Sequence, residues 1–180
     1  MYGMINNALH DLVAQQLGEE AWLRIAATAG FEDGLFVSLE SYPDEVTYTL
    51  VGGAASALGL SVEAFLLMFG RHWIAYAMRT AYAPLLQSQS SFSEALSGLD
   101  DMHKRIRHTL TKLNAPSFQF RPSATGGTLR YTSSRTGLAP FVIGLLHGLA
   151  EFHNTKVTIT HTIPRTTNAE FDEFEIEFQS

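Results

Sequence analysis

The chain has 180 residues, 46% of them hydrophobic and 17% charged, and it carries a formal net charge of −6. This length and composition fit one domain, or two tightly joined halves, with a sizeable apolar core. The chain lacks the dense basic stripe of a nucleic-acid-binding protein, and having no cysteine it cannot form disulfides, thiolate metal sites or iron–sulfur clusters. No apolar run reaches the roughly 18 residues of a membrane span, and no secretory signal is visible, so we expect a soluble cytoplasmic protein.

The first part of the chain is predicted to be helical. Apolar residues keep a helical spacing over residues 5–29, where Gly18 separates two helices and Gly30 ends the second. Residues 43–57 predict a third helix. Ser61 caps a fourth, whose apolar residues follow the i, i+3, i+4, i+7 pattern: Val62, Phe65, Leu66, Phe69 and Trp73.

The serine-rich stretch that follows has a weaker pattern. Residues 84–98 show little periodicity, so we predict a loop and then a short helix there. Asp100 is predicted to begin the next helix, which would run to about Leu113 and end before Pro116.

The last third of the chain changes character. Alternating apolar residues predict strands at "SFQFRP", "TLRYTSS", "KVTITHTI" and "FEIEF", and an apolar helix, "GLAPFVIGLLHGLAEF", lies between the second and third. The order is five or six helices, then strand, strand, helix, strand, strand. We therefore predict an α+β fold in which a helical N-terminal half packs against a C-terminal antiparallel sheet.

One histidine falls within an apolar stripe. Leu99, His103, Ile106 and Leu110 lie at i, i+4, i+7 and i+11 of the helix around His103, so they share one face. From the spacing alone, a hydrogen-bonded core histidine is favoured over a metal ligand. His161, on an apolar strand face, is its one competitor. No pair of histidines has the i, i+4 spacing of a helical zinc site, and no nucleophile elbow, phosphate loop or carboxylate pair indicates an enzyme.

A polar triplet precedes the apolar helix. In "LRYTSSRTGLAP", Tyr131, Ser133 and Arg135 alternate, so that two hydroxyls and a guanidinium share a face. Arginine holds a carboxylate with two parallel hydrogen bonds, and the hydroxyls add donors. The alternative is the polar, solvent-facing side of an edge strand. Combined with His103 and an apolar cavity, the triplet describes a haem pocket, because haem presents an iron, an apolar ring and two propionates.

With these features in place, the chain resembles a known family. The resemblance rests on "MYGMINNAL", the histidine in "LDDMHKRI", Pro116, the Y-x-S-x-R motif at residues 131–135 and "GLAPFVIGLLHG". It covers essentially the whole chain and is to the H-NOX family, bacterial haem nitric oxide/oxygen-binding domains similar to the haem domain of soluble guanylate cyclase. The family fold implies one domain over residues 1–180, with a helical subdomain at 1–60, a haem-ligating subdomain with a four-stranded antiparallel sheet at 61–180, and the haem between them.

The resemblance also assigns roles around a non-covalent haem b. His103 would be the proximal iron ligand, and Pro116 would press on the porphyrin. The propionates would be held by the triplet, and the ring would be contacted by Ile5 and Leu145.

The distal side would decide which gas binds. Family members that bind oxygen stably carry a distal tyrosine whose hydroxyl donates to the ligand, and alignment places Phe141 at that position. The resemblance therefore implies a sensor that binds NO and CO and excludes oxygen, with Trp73 and Ala77 also in the distal pocket. One alternative is an oxygen binder in which the Trp73 indole is the donor. Others are a haem-free module for an apolar carboxylate and a haem peroxidase using His72.

By the same resemblance, NO binding would weaken the bond between iron and His103. Release of His103 would free its helix and let the helical half rotate against the sheet half. The expected partner is a histidine kinase or a cyclic-dinucleotide enzyme acting in trans.

Overall fold

A computed structural model describes residues 1–80, 83–109, 114–165 and 170–179. Its helices are α1 (Gly3–Leu17), α2 (Glu19–Thr28), α3 (Asp44–Ala57), α4 (Val62–Met78), α5 (Ala83–Gln87), α6 (Phe92–Thr109) and α7 (Ala139–Phe152). Its strands are β1 (Ser117–Ser123), β2 (Gly126–Thr132), β3 (Val157–Ile163) and β4 (Asp172–Phe178). The predicted order of elements is confirmed, with α7 between the two pairs of strands.

The four N-terminal helices form where the sequence predicts them. Gly18, with a φ of 84°, separates α1 from α2, a conformation that glycine adopts without a steric penalty. Ser61 caps α4, because its hydroxyl accepts a 3.1 Å hydrogen bond from the amide of Ala64.

The prediction for the start of α6 is wrong. The helix begins at Phe92, so Asp100 lies inside it, and a further helix, α5, precedes it. The Ser91 hydroxyl accepts a hydrogen bond from the amide of Glu94 in the first turn, and the Glu94 carboxylate accepts one from the amide of Ser90 just before the helix. The buried Phe92 and Leu96 extend the apolar stripe of Leu99 and His103 towards the N-terminus of the helix. The predicted end at Leu113 falls outside the described residues.

The four strands form one antiparallel sheet in the order β1-β2-β4-β3. Tyr131 of β2 pairs with Phe118 of β1 and Asp172 of β4. The buried side chains of the sheet alternate along the strands, as the period of two requires: Phe118, Leu129, Tyr131, Asp172, Phe174 and Ile176. Because β2 has a partner on each side, it is an interior strand, and the alternative of an edge strand for the polar triplet is wrong.

Two clusters of buried apolar side chains form the core. The first lies among α1 to α4 and includes Trp22 and Phe65, and the second lies between the sheet, α6 and α7 and includes Phe92 and Phe174. Helix α4 contributes to both clusters, and the half-buried Trp73 packs against both. Among the described residues no single helix is long and apolar enough to cross a membrane; α3 and α4 pass that test only together, with a bend of 106° between them.

Helices α4 and α7 approach each other closely at glycines. A methyl group on Gly70 would overlap the backbone of Phe141 and Leu145, and one on Gly144 would overlap the carbonyl oxygen of Leu67. Backbone therefore packs directly on backbone here, which fixes the position of α7 relative to α4.

The close contact between α4 and α7 predicts that adding one methyl group at Gly144 destabilises the protein. Gly144→Ala should lower the free energy of unfolding by roughly 1–3 kcal/mol, because the added methyl group must push backbone atoms of α4 apart from α7. Gly52→Ala is the matched control, since a methyl group at that helical position meets no atom within 4 Å. It should stabilise the protein by up to about 1 kcal/mol. Urea unfolding of both variants measures the difference, and equal effects would contradict the close contact.

Candidate haem site

His103 is held in one tautomer and orientation by its own helix. Its Nδ1 lies 2.8 Å from the carbonyl oxygen of Leu99, one turn earlier in α6, so Nδ1–H donates to that carbonyl. The ring lies 5.0 Å from that of Phe118 on β1. The bond to Leu99 leaves the Nε2 lone pair for a metal, as in histidine ligands that are oriented through their second nitrogen.

Burial also keeps this imidazole neutral. Loss of hydration lowers the pKa of His103 below its ordinary value of 6.5, although the bond to Leu99 acts in the opposite direction. The neutral ring therefore predominates at neutral pH. Only the neutral ring can donate an electron pair to iron, so the environment favours a ligand.

Asp100 ties the helix of His103 to the sheet. Its Oδ1 accepts hydrogen bonds from the Ser117 hydroxyl at 2.9 Å and from the Phe118 amide at 3.1 Å, and its Oδ2 pairs with Lys104 at 2.9 Å. Burial alone would raise the pKa of Asp100, but these bonds outweigh it and the pKa lies below its ordinary value. The carboxylate thus anchors α6 beside the strand whose Phe118 contacts the histidine ring. Sequence reasoning missed this role, although the i, i+4 pair with Lys104 was visible.

The polar triplet is buried or half-buried, but only its Tyr131 lies in a strand, because β2 ends at Thr132. Ser133 and Arg135 belong to the loop that follows, so the prediction that all three share one strand face is wrong. Tyr131 and Ser133 are 5% and 9% exposed, and the Tyr131 ring lies 5.2 Å from Phe118. Burial raises the pKa of Tyr131, so its hydroxyl keeps its proton and remains a hydrogen-bond donor. The Ser133 oxygen accepts a 3.1 Å bond from the backbone amide of Arg135, which closes a tight turn. The rings of His103, Phe118 and Tyr131 therefore form one row, with Phe118 in the middle.

Arg135 already binds a carboxylate. Its Nε and Nη2 donate to Asp44 on α3, at 2.8 and 3.1 Å, and its Nη1 donates to the carbonyl of Asn114 at 2.9 Å. The N-terminal ammonium of Met1 also lies 2.6 Å from Asp44. Burial would raise the pKa of Asp44, but these two cations outweigh it and hold the pKa below its ordinary value. Arg135 thus holds the Asp44 carboxylate with two hydrogen bonds, and no local pattern indicated this partner because it lies 91 residues away in the chain.

Further contacts hold the loop that carries Arg135 on two sides. The Asn114 amide donates to the Ser134 hydroxyl at 2.7 Å, which joins this loop to the segment containing the half-buried Pro116. On the other side, the Arg165 guanidinium donates to the carbonyls of Ser133 and of Arg135. The polar groups are therefore fixed before any ligand binds.

The predicted apolar contacts are divided between the two core clusters. Ile5 and Phe141 are half-buried against the first cluster, Leu145 against the second, and Trp73 against both. The Phe141 ring lies 5.1 Å from that of Phe69. Ala77, in contrast, is 2% exposed.

The competing histidines are engaged through the nitrogen that a metal would need. His161 Nε2 lies 2.9 Å from Asp172, and His72 Nε2 lies 2.7 Å from Asp11, which also pairs with Arg79. In the part of the chain that the structure describes, no group of three or more histidine, aspartate or glutamate side chains could hold a metal ion. Of His72, His103 and His161, only His103 is bonded through Nδ1, which leaves its Nε2 without a carboxylate partner.

The residues fit haem. A neutral imidazole with its Nε2 lone pair free of the bond to Leu99 suits the iron. A guanidinium that already grips a carboxylate, beside two buried hydroxyls, suits the propionates. Half-buried apolar side chains packed against the two clusters, such as Trp73, Phe141 and Leu145, suit the ring.

Comparison with known proteins places the chain in a family. The Haem-NO-binding family model matches residues 2–161. Soluble guanylate cyclase gcy-35 of Caenorhabditis elegans is 32% identical over 165 residues, which are 88% of this chain and 24% of the cyclase. The chain thus spans about a quarter of that relative's length.

Solved structures share the whole fold. An H-NOX protein from S. oneidensis in the Fe(II)NO state is 25% identical, with a TM-score of 0.90 and full coverage of both chains. An oxygen-binding H-NOX domain in its oxygen complex has a TM-score of 0.85 at 17% identity, covering 100% of this chain and 96% of that one. The fold is therefore common to proteins with different gas ligands. With a family model over most of its length, the chain belongs to the Haem-NO-binding (H-NOX) family of haem-based gas-sensor domains.

Proposed function

We propose that this chain is a cytoplasmic sensor that binds NO and CO at a ferrous haem b, excludes oxygen, and signals to a separate protein. The observation that carries the haem assignment is the bond from His103 Nδ1 to Leu99, which leaves Nε2 for the iron. The sensor itself is proposed to have no enzymatic activity. It acts as one domain, with the boundary between its two subdomains near residue 60.

When bound, the ferrous haem supplies the iron to which a diatomic gas binds. His103 would hold that iron through Nε2, and the haem would be non-covalent because the chain has no cysteine for thioether bonds. Tyr131, Ser133 and Arg135 would donate hydrogen bonds to the propionates. Arginine has five N–H donors, of which the bonds to Asp44 and Asn114 use three, so Arg135 can serve Asp44 and a propionate together. Pro116, Ile5 and Leu145 would lie against the ring.

Selectivity for NO and CO follows from Phe141. A phenyl ring offers no hydrogen-bond donor, and bound oxygen depends on such a donor more than NO or CO does. The Trp73 ring stacks on that of Tyr76, with 5.9 Å between centroids, and packs against both core clusters. These contacts favour a packing role for Trp73 over the role of ligand donor. A peroxidase is disfavoured, because the Nε2 of His72 is engaged by Asp11.

Signalling is proposed to start from His103. Its release from iron would free α6, and Asp100 would pass that movement to β1. On the other side, Arg135 and Asp44 join the polar triplet to α3 and to the N-terminus. The two subdomains could therefore exchange one arrangement for another, and a histidine kinase or cyclic-dinucleotide enzyme in trans would read the difference.

The absorption spectrum of the ferrous protein tests which gas binds. Ferrous protein in air should keep its unliganded spectrum at first, while NO and CO should each shift it. Phe141→Tyr should gain a stable oxygen complex, because the new hydroxyl supplies the missing donor. Trp73→Phe is the control, since it removes the only other proposed donor. If the unmodified protein formed a stable oxygen complex and Trp73→Phe did not, the proposed exclusion of oxygen would be wrong and Trp73 would be the donor to bound oxygen.

Replacement of His103 tests its proposed role as the iron ligand. His103→Gly should lose most of the haem absorption after expression with added haem, and imidazole in the buffer should restore it by filling the vacated position. His161→Gly is the control, because its imidazole is paired with Asp172, and it should bind haem as the unmodified chain does. Retention of haem by His103→Gly without imidazole, or its loss in His161→Gly alone, would refute the assignment.

A further inference from the structure

The segment between α2 and α3 exposes three large apolar side chains. Leu35, Val37 and Leu39 are 67%, 57% and 62% exposed, and no other large apolar side chain in the described residues is as exposed. We refer to residues 35–39 as the apolar segment. A single exposed leucine is ordinary, but three within five residues form a candidate contact surface.

The backbone of the apolar segment is firmly held. Between its exposed side chains, Phe36 is buried and packs on the rings of Phe31 and Tyr42, at 4.5 and 5.1 Å. The Tyr42 hydroxyl accepts a hydrogen bond from the Val37 amide at 2.9 Å. These contacts fix which side chains face inward, so the exposed ones do not result from a loosely placed loop.

The N-terminal helix reinforces this arrangement. Asn7 donates to the carbonyl of Phe36 at 3.1 Å, and the Met4 amide donates to the carbonyl of Ser38 at 3.1 Å. Gly3 lies so close that a methyl group there would overlap the carbonyl of Val37. A surface that is ordered before binding loses little conformational entropy when a partner docks.

The surroundings of the apolar segment are acidic. Glu32, Asp33 and Glu40 flank it and are exposed, and residues 25–70 contain six carboxylates but no lysine or arginine. Over residues 1–70, nine carboxylates and one arginine give a formal charge of −8. Residues 71–180 carry the remaining nine carboxylates and eleven lysines and arginines, which give a formal charge of +2. The acidic charge of the chain, −6 in total, therefore lies in its first 70 residues.

We propose that the apolar segment is a docking surface for a protein partner that presents apolar side chains among lysines and arginines. The charge pattern selects this occupant, because opposite charges around an apolar centre complement each other. An anionic membrane would be repelled, and a second copy docking through the same face would bring like charges together. The proposal rests on the proposed function only in taking a partner protein to exist.

The apolar segment is also connected to the site. The amide of Tyr42 donates to the carbonyl of Met1 at 2.7 Å, and the Met1 ammonium pairs with Asp44, which Arg135 grips. A partner docked here would therefore contact the part of the helical half that is joined to the polar triplet.

A defined peptide tests the chemistry of this surface. The probe is an 18-residue fluorescein-labelled helical peptide with one leucine face and one lysine face, titrated into the full chain while anisotropy is recorded. The Val37→Ser/Leu39→Ser variant should bind it about tenfold more weakly, because it removes apolar contact area. Leu60→Ser/Val62→Ser is the matched control, with side chains 39% and 49% exposed in the same acidic half, and should stay within about twofold of the unmodified chain.

Two comparison peptides make the result specific. A leucine–glutamate peptide and a serine–lysine peptide of the same length should each bind at least about tenfold more weakly than the leucine–lysine peptide. Equal binding of the serine–lysine peptide, an equal loss in both double variants, or no binding at all would overturn the proposal. So would a dimer in sedimentation equilibrium that Val37→Ser/Leu39→Ser alone dissociates, since a second copy would then cover the surface. The assay uses no gas and no haem absorption, so its failure would leave the proposed gas binding untouched.

Discussion

The site depends on one hydrogen bond, from Nδ1 of His103 to the carbonyl of Leu99. This bond fixes the tautomer, points Nε2 away from the helix backbone and holds the ring in one orientation relative to α6. A displacement of the imidazole would therefore move α6 with it, and Asp100 connects that helix to β1. Burial acts in the same direction, because it keeps the ring neutral and able to bind a metal.

A second constraint joins the two halves of the molecule. Arg135 belongs to the loop after β2, yet its guanidinium grips Asp44 on α3, and the N-terminal ammonium shares that carboxylate. This half-buried network lies at the same place as the hydroxyls of Tyr131 and Ser133. In the proposed haem site, Arg135 would therefore both bind a propionate and connect the loop after β2 to α3 and the N-terminus.

Local patterns in the sequence predicted much of this arrangement. Periodicity placed α1 to α4, the strands and α7, and the apolar stripe placed His103 on an inward face. The start of α6 was missed because the serine-rich stretch hid a capping pair, Ser91 and Glu94, three residues apart. The interior position of β2 and the pairing of Asp44 with Arg135 could not be predicted, since both depend on contacts between residues far apart in the chain. The boundary near residue 60 stays a prediction.

The measurement that tests the central claim most directly is a proton NMR spectrum of the unliganded ferrous protein, labelled with ¹⁵N in its histidines. Unpaired electrons on five-coordinate ferrous iron shift the ring proton of its histidine ligand far outside the ordinary range. We predict one such exchangeable signal, attached to a labelled nitrogen assigned as Nδ1 and lost in His103→Gly reconstituted with unlabelled imidazole. A haem-loaded protein without this signal, or one that keeps it in His103→Gly, would contradict the account.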